Sequence, residues 1–201
     1  YNPSVKIIYT GTRNQYGKAK KIQVAEDHPF DPVDTNGVSE IASELYHTLY
    51  GKLYGVRSTS LRLCNVFGPR HQMRHSRQGV LNWFLRLLLE GKRIQLMGKG
   101  LQIRDCAYVE DVIEALMLLG LNEKSWGQAF NIGSYPISLK KFVELAIAAN
   151  GSGSYDFVSF PSDRHKIEPG DYVADTTKLI KAISWKPKWK VEDAIGETLS
   201  Y

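Results

Sequence analysis

Apolar and polar positions alternate along this chain in blocks that switch between two periods. Val5 to Tyr9 is a short apolar run and predicts a buried strand over residues 5–10. Residues 36–53 carry Val38, Ile41, Ala42, Leu45, Leu49 and Leu53 at three- and four-residue spacing, which predicts an amphipathic helix. Gly55 punctuates the chain before a second strand, Arg57 to Leu63. Asn65 to Pro69 reads as a turn and Arg70 to Arg77 as a polar loop. A helix from Val80 to Glu90 is stopped by Gly91, and a strand over Ile94–Met97 ends at Gly98-Lys99-Gly100. Arg104–Tyr108 is a strand leading into a helix from Glu110 to Leu121, followed by a strand at Ala129–Gly133. Ser138 caps a helix over 139–149, Asp175 caps one through Ile183, and a last helix lies near 191–200. Strand–helix alternation of this kind predicts an α/β architecture.

Composition narrows the function classes. The 201 residues are 43% hydrophobic, enough for one sizeable core or somewhat more. The net charge of +5 comes from scattered basic residues, with short clusters at Lys18-Lys20-Lys21 and Lys186-Lys188-Lys190 that read as solvated surface. No nucleic-acid partner is expected, and no membrane partner, since no apolar run approaches a spanning length. Cys64 and Cys106 have no metal-ligand spacing, so a reducing, cytoplasmic setting is expected. His71 and His75 lie four apart without an acidic partner and read as loop residues; no metal is expected. No Gly-rich strand–turn–helix of the dinucleotide-binding type occurs, and the chain starts just ahead of a strand, as if inside a larger fold.

Several segments carry chemistry. Thr10-Gly11-Thr12 closes the first strand and is followed by Tyr16-Gly17. Asn36-Gly37-Val38-Ser39-Glu40 opens the first long helix, with Glu44 one turn further on. Downstream come Ser60-Leu61-Arg62-Leu63-Cys64-Asn65-Val66-Phe67-Gly68-Pro69, then Gly98 to Asp111 with Gln102-Ile103-Arg104-Asp105, then Phe130-Asn131-Ile132-Gly133. Gly170-Asp171 and Trp185-Lys186-Pro187 complete the series. In order and spacing the chain resembles the extended short-chain dehydrogenase/reductases, the family of NAD-dependent nucleotide-sugar epimerases and dehydratases.

The resemblance implies a fold and a site. The fold would be a partial Rossmann-type doubly wound parallel sheet, its later strands only, with a small α/β substrate-binding domain. Residues 1–70 would be the C-terminal part of the NAD-binding domain. Residues 71–201 would mainly bind the nucleotide-sugar, with about 94–133 returning to the Rossmann core. Thr12 falls at the family's catalytic hydroxyl, Asn36 at its tyrosine and Glu40 at its lysine. Thr10, Leu63 and Cys64 would flank the NAD cofactor. Asn65, Gln102, Arg104, Arg164 and Asp171 would meet a nucleotide-diphosphate sugar, Arg104 at the diphosphate, while Asp105 and Asp111 would fix local backbone. A homodimer through the 36–53 helix would follow.

Two of these positions carry the wrong chemistry. A phenolate base needs a lysine one turn away to lower its pKa, and positions i and i+4 share a helix face. Asn36 cannot form a phenolate, and Glu40 puts negative charge where positive charge is needed. A Tyr-x-x-x-Lys does occur at Tyr16–Lys20, but in loop context beside a glycine. Three readings stay open: a fragment of an epimerase/dehydratase lacking its Gly-rich N-terminus, a non-catalytic nucleotide-sugar-binding or scaffold relative, and a variant enzyme using Thr12, Asn36 and Glu40. Tyr46 and Tyr50 on the same helix read as packing residues, and Trp185 as core.

Overall fold

A computed structural model describes residues 4–74, 79–162 and 166–201. The first strand, β1 (Lys6–Thr12), pairs in parallel with β3 (Arg57–Leu63), and β3 pairs in parallel with β7 (Ala129–Asn131). The register Thr12↔Leu63 brings the carboxyl ends of β1 and β3 level. Helix α1 (Thr35–Tyr54) connects these two strands, as a parallel pair requires. Asp34 starts it by accepting the Gly37 N–H at 2.7 Å, and Gly55, at φ 68°, ends it.

The remaining strands pair outside this three-stranded sheet. β4 (Asn65–Phe67) runs parallel to β6 (Ile103–Tyr108), which pairs antiparallel with β8 (Tyr135–Ser138). β5 (Ile94–Met97) pairs with β9 (Tyr155–Val158), and β2 (Gln23–Val24) with β10 (Val173–Ala174). Helices α2 (Val80–Leu89), α4 (Leu139–Asn150) and α6 (Val191–Ser200) enclose one apolar cluster with Phe67, Leu85, Phe142 and Ile195 at its centre. Helices α3 (Val109–Leu121) and α5 (Thr177–Ile183) help close the other, around Tyr16, Leu61, Phe130 and Trp185. α2 shows why such a helix forms: Leu81, Phe84, Leu85 and Leu88 repeat at one-turn spacing and all are buried.

The expected α/β class holds, and the long elements lie within a residue or two of their sequence-predicted bounds. The differences are local. Asn65 to Phe67, expected as a turn, is strand β4, because its parallel partner β6 is about forty positions away and invisible to local reading; the turn comes after it, with Arg70 at φ 64°. β2, β8, β9 and β10 were not expected from the sequence for the same reason. Asp175 accepts the Thr177 N–H at 2.9 Å, but the residue at the cap of α5 is Thr176. Trp185 is core, as expected, and its indole donates to the Asp111 carbonyl at 2.9 Å.

Helix α1 differs from the others. Only Gly37 and Glu44 of its 20 residues are buried. Tyr46 and Tyr50, expected to pack, are 64% and 50% exposed, because no element among the described residues covers that side of the helix. Among the described residues, no helix is long and apolar enough to cross a membrane, and no cluster of three or more potential ligand side chains could hold a metal ion.

Candidate functional site

Backbone contact builds the site. β1 ends at Thr12, whose hydroxyl accepts the Asn14 N–H at 3.3 Å and starts a 3-10 turn over Arg13–Tyr16. Gly17 closes the turn at φ 61°, and the Asp31 N–H donates back to the Gln15 carbonyl at 3.2 Å. Gly37 in the first turn of α1 is pressed on this structure: a Cβ there would lie 2.6 Å from the Asn14 carbonyl oxygen and 2.8 Å from Pro32. Only glycine permits that approach. The carboxyl end of β1 and the start of α1 are therefore locked together, which joins Thr12 to the helix turn bearing Asn36 and Glu40.

Asn36 is exposed, whereas Glu40 is half-buried and accepts a hydrogen bond from the Tyr9 hydroxyl of β1. The Tyr9 ring also lies 4.9 Å from His47 of α1. Burial and the Glu40 carboxylate push the Tyr9 phenol up to about 12, opposite to the direction a phenolate base requires. Tyr16 does not pair with Lys20: its ring is fully buried and its hydroxyl donates to Asn131 Oδ1 at 2.7 Å, while Lys20 is exposed.

One helical turn beyond Glu40 lies a buried network to which the sequence reading gave no role. Glu44 and Arg62 meet through two bonds, Nη2 to Oε1 at 2.5 Å and Nε to Oε2 at 3.0 Å. Ser60 donates to the same carboxylate at 2.7 Å. Arg62 Nη1 donates to the Tyr16 hydroxyl at 2.5 Å and to the Glu26 carbonyl at 2.9 Å. Burial alone would raise the Glu44 carboxyl, but the Arg62 hydrogen bonds and charge outweigh it and hold it below the usual carboxylate range. Burial likewise opposes the Arg62 charge, and Glu44 outweighs that too. An open cavity of about 480 Å³ adjoins this network, lined by Ala25, Glu26, Asp27, Arg62, Ala129 and Lys178.

The other sequence-predicted positions divide into three groups. Thr10 is exposed, Leu63 half-buried and Cys64 buried at the ends of β1 and β3. Asn65 and Gln102 each keep a buried side-chain oxygen without a hydrogen-bond partner, although Gln102 Nε2 donates to the Met97 carbonyl at 3.2 Å. Arg104 is buried, ion-paired with Glu168 and donating to the Gly170 carbonyl at 3.0 Å. Asp171 accepts the Ile103 N–H at 2.8 Å, which ties its loop to β6. Asp105 accepts the N–H groups of Ser134 at 2.9 Å and Ala174 at 2.8 Å, and Asp111 accepts that of Lys188 at 2.9 Å; both fix backbone, as expected. Arg164 and His75 lie outside the described residues.

Residues 1–133 match the NAD dependent epimerase/dehydratase family. The chain is 28% identical to a UDP-glucose 4-epimerase of Mycolicibacterium smegmatis over 98% of its length, covering 62% of that protein. It is 29% identical to the dTDP-D-glucose 4,6-dehydratase of Mus musculus, over 98% of the chain and 55% of the relative. The solved structure of UDP-glucose 4-epimerase with UDP-glucose from Thermotoga maritima superposes with a TM-score of 0.86 at 26% identity, over 98% of the chain and 62% of that structure. The chain thus spans about three fifths of the length of these relatives.

NAD is the cofactor of the matched family. A dinucleotide's pyrophosphate sits at a helix N-terminus reached through a glycine-rich turn. The first described strand, β1, instead runs into a turn of Arg13, Asn14 and Gln15. Level with it, β3 ends at Leu63, next to the buried Cys64.

Proposed function

Since the chain belongs to the NAD-dependent epimerase/dehydratase family, we propose that it is the nucleotide-sugar-binding portion of an epimerase- or dehydratase-like protein whose glycine-rich cofactor cradle lies outside these residues. The observation that supports this reading is the lock between the first turn of α1, at Gly37, and the turn that follows Thr12. On this reading residues 1–70 belong to the cofactor domain and residues 71–201 mainly to the sugar-binding domain. Thr12 orients a sugar hydroxyl. Asn65, Gln102, Arg104 and Asp171 are the residues assigned to the nucleotide diphosphate. When bound, NAD would supply hydride exchange with the sugar carbon; this chain's part is to bind and orient the sugar.

A specific observation favours a second reading, a relative that binds nucleotide-sugar without turning it over. Glu40 is already engaged by Tyr9, and the Tyr9 phenol is raised rather than lowered. Neither group replaces the proton-transferring pair. Calorimetric titration of the 201-residue chain with UDP-glucose and dTDP-glucose tests both readings at their common root, with saturable binding expected. Weak NAD binding is expected of the chain alone. Absence of nucleotide-sugar binding removes the proposal, and tight NAD binding removes the missing cradle. Epimerisation or dehydration by the unaltered protein in its longest form would eliminate the non-catalytic reading.

The exposed side of α1, with Tyr46, Leu49 and Leu53, is the surface we assign to a homodimer. Light scattering coupled to chromatography checks it; a monomer at high concentration counts against it.

A further inference from the structure

Arg13 is a buried cation with no ion-pair partner among the described residues. It is 4% exposed, and its Nη1 is buried with no hydrogen-bond partner. Its guanidinium lies 5.1 Å from the centre of the Tyr172 ring. The Tyr172 hydroxyl is a second buried donor without a partner. Arg104 neighbours this pair, since it bridges to Tyr172 across the backbone and repels the Arg13 charge. Glu168, whose field also reaches Arg13, is already ion-paired with Arg104.

An unpaired charge taken out of water is strongly unfavourable unless a counter-ion meets it. A ring face eases that cost only in part. Burial, with Arg104 adding to it, lowers the Arg13 pKa to about 10, which still leaves the group charged at neutral pH. Its location carries the rest of the argument. Arg13 follows Thr12 directly, at the carboxyl ends of parallel strands where open α/β sheets bind their ligands. An oxyanion accepting from both the Arg13 guanidinium and the Tyr172 hydroxyl would satisfy two orphaned donors and balance the charge.

We propose that Arg13, with Tyr172, forms an oxyanion-binding site beside Thr12, and that the ligand of this protein carries a phosphate or carboxylate there. The identity of that ligand rests on the nucleotide-sugar reading above, with the anion coming from its diphosphate or from an acidic sugar. The site itself does not depend on that reading.

Thermal unfolding of the 201-residue chain tests it, with sodium pyrophosphate and sodium glucuronate as probes against sodium chloride at matched ionic strength. At about a hundredfold excess over the dissociation constant, one anion should raise the melting temperature by about 5 °C. The rise should vanish in Arg13→Met, shrink in Arg13→Lys, and weaken in Tyr172→Phe. Without ligand, Arg13→Met should melt no lower than the native chain, because it removes a charge the fold leaves unpaired. A response to pyrophosphate alone assigns the site to a diphosphate, and a response to glucuronate alone assigns it to a sugar acid. The proposal is overturned if neither anion acts, if the rise survives in Arg13→Met, or if Arg13→Met loses several degrees or fails to fold. UDP-glucose failing to bind while pyrophosphate acts through Arg13 would undo the nucleotide-sugar reading and leave the oxyanion site standing.

Discussion

Arg62 and Arg13 are equally hidden from water, at 5% and 4% exposure, and stand in adjoining parts of one core. Arg62 is fully engaged, with Glu44, Tyr16 and the Glu26 carbonyl taking its protons. Arg13 has an aromatic face, and its buried Nη1 has no acceptor among the described residues. Burial alone therefore does not say what a charge is for. A buried cation whose bonds are all internal belongs to the fold, whereas one left open at a strand end belongs to something the fold awaits.

The comparison can be broken most forcefully at Glu44. Replacing it by Ala strands Arg62 in the core and should cost about 3–5 kcal/mol, read from urea unfolding. A loss near zero would show that Arg62 needs its partner no more than Arg13 does. The same pair sets an acid limit. Because the folded-state pKa of Glu44 is depressed, its stabilisation is present at neutral pH and drains away as pH falls through that lowered value.

Asp105 supplies the mirror case, a buried anion met only by backbone N–H groups. Burial raises its pKa to about 6 from an ordinary value of 3.8. Its folded-state pKa lies above the unfolded one, so the fold favours the protonated form. Its contribution is present below pH 4 and is lost as pH rises through 6. At 1.36 kcal/mol per unit, the loss is about 3 kcal/mol. Urea midpoints at pH 4.5 and 7 for the native chain and Asp105→Asn measure it; a difference between the two proteins that ignores pH would contradict the assignment.

Tyr9 and Glu40 stand between the extremes, half-buried and bonded to each other. Tyr9→Phe should cost about 1.5 kcal/mol, the lower end for a hydrogen bond to a charged group, since the pair is only half-buried. No change would mean that Glu40 is as free as Asn36. The smallest effect on stability is expected on the open side of α1. Tyr46→Lys should alter it by less than about 0.5 kcal/mol, while driving any dimer seen by light scattering to monomer.

Much of this was legible from spacing. Helix α1 announced itself through its apolar repeat and was bounded by Asp34 and Gly55 within two residues of expectation. The motif order led to the right family, and Asp105 and Asp111 were read correctly as backbone ligands. Three things could not be read. Short strands such as β4 and β9 exist only by virtue of distant partners. Glu44 and Arg62, eighteen positions apart, meet because α1 folds back over β3. Arg13 resembled any loop arginine, since nothing in Thr12-Arg13-Asn14 reveals that its side chain turns inward onto Tyr172. Partners across the fold decide these cases, and local pattern contains no trace of them.

The contact at Gly37 has a practical consequence. Because α1 is registered against the β1 turn by backbone touching backbone, the positions at 36 and 40 keep their places whichever side chains they carry. The scaffold works like a socket with interchangeable fittings. A tyrosine and a lysine inserted there would stand on the same stretch of α1, with the backbone contact beneath them unchanged.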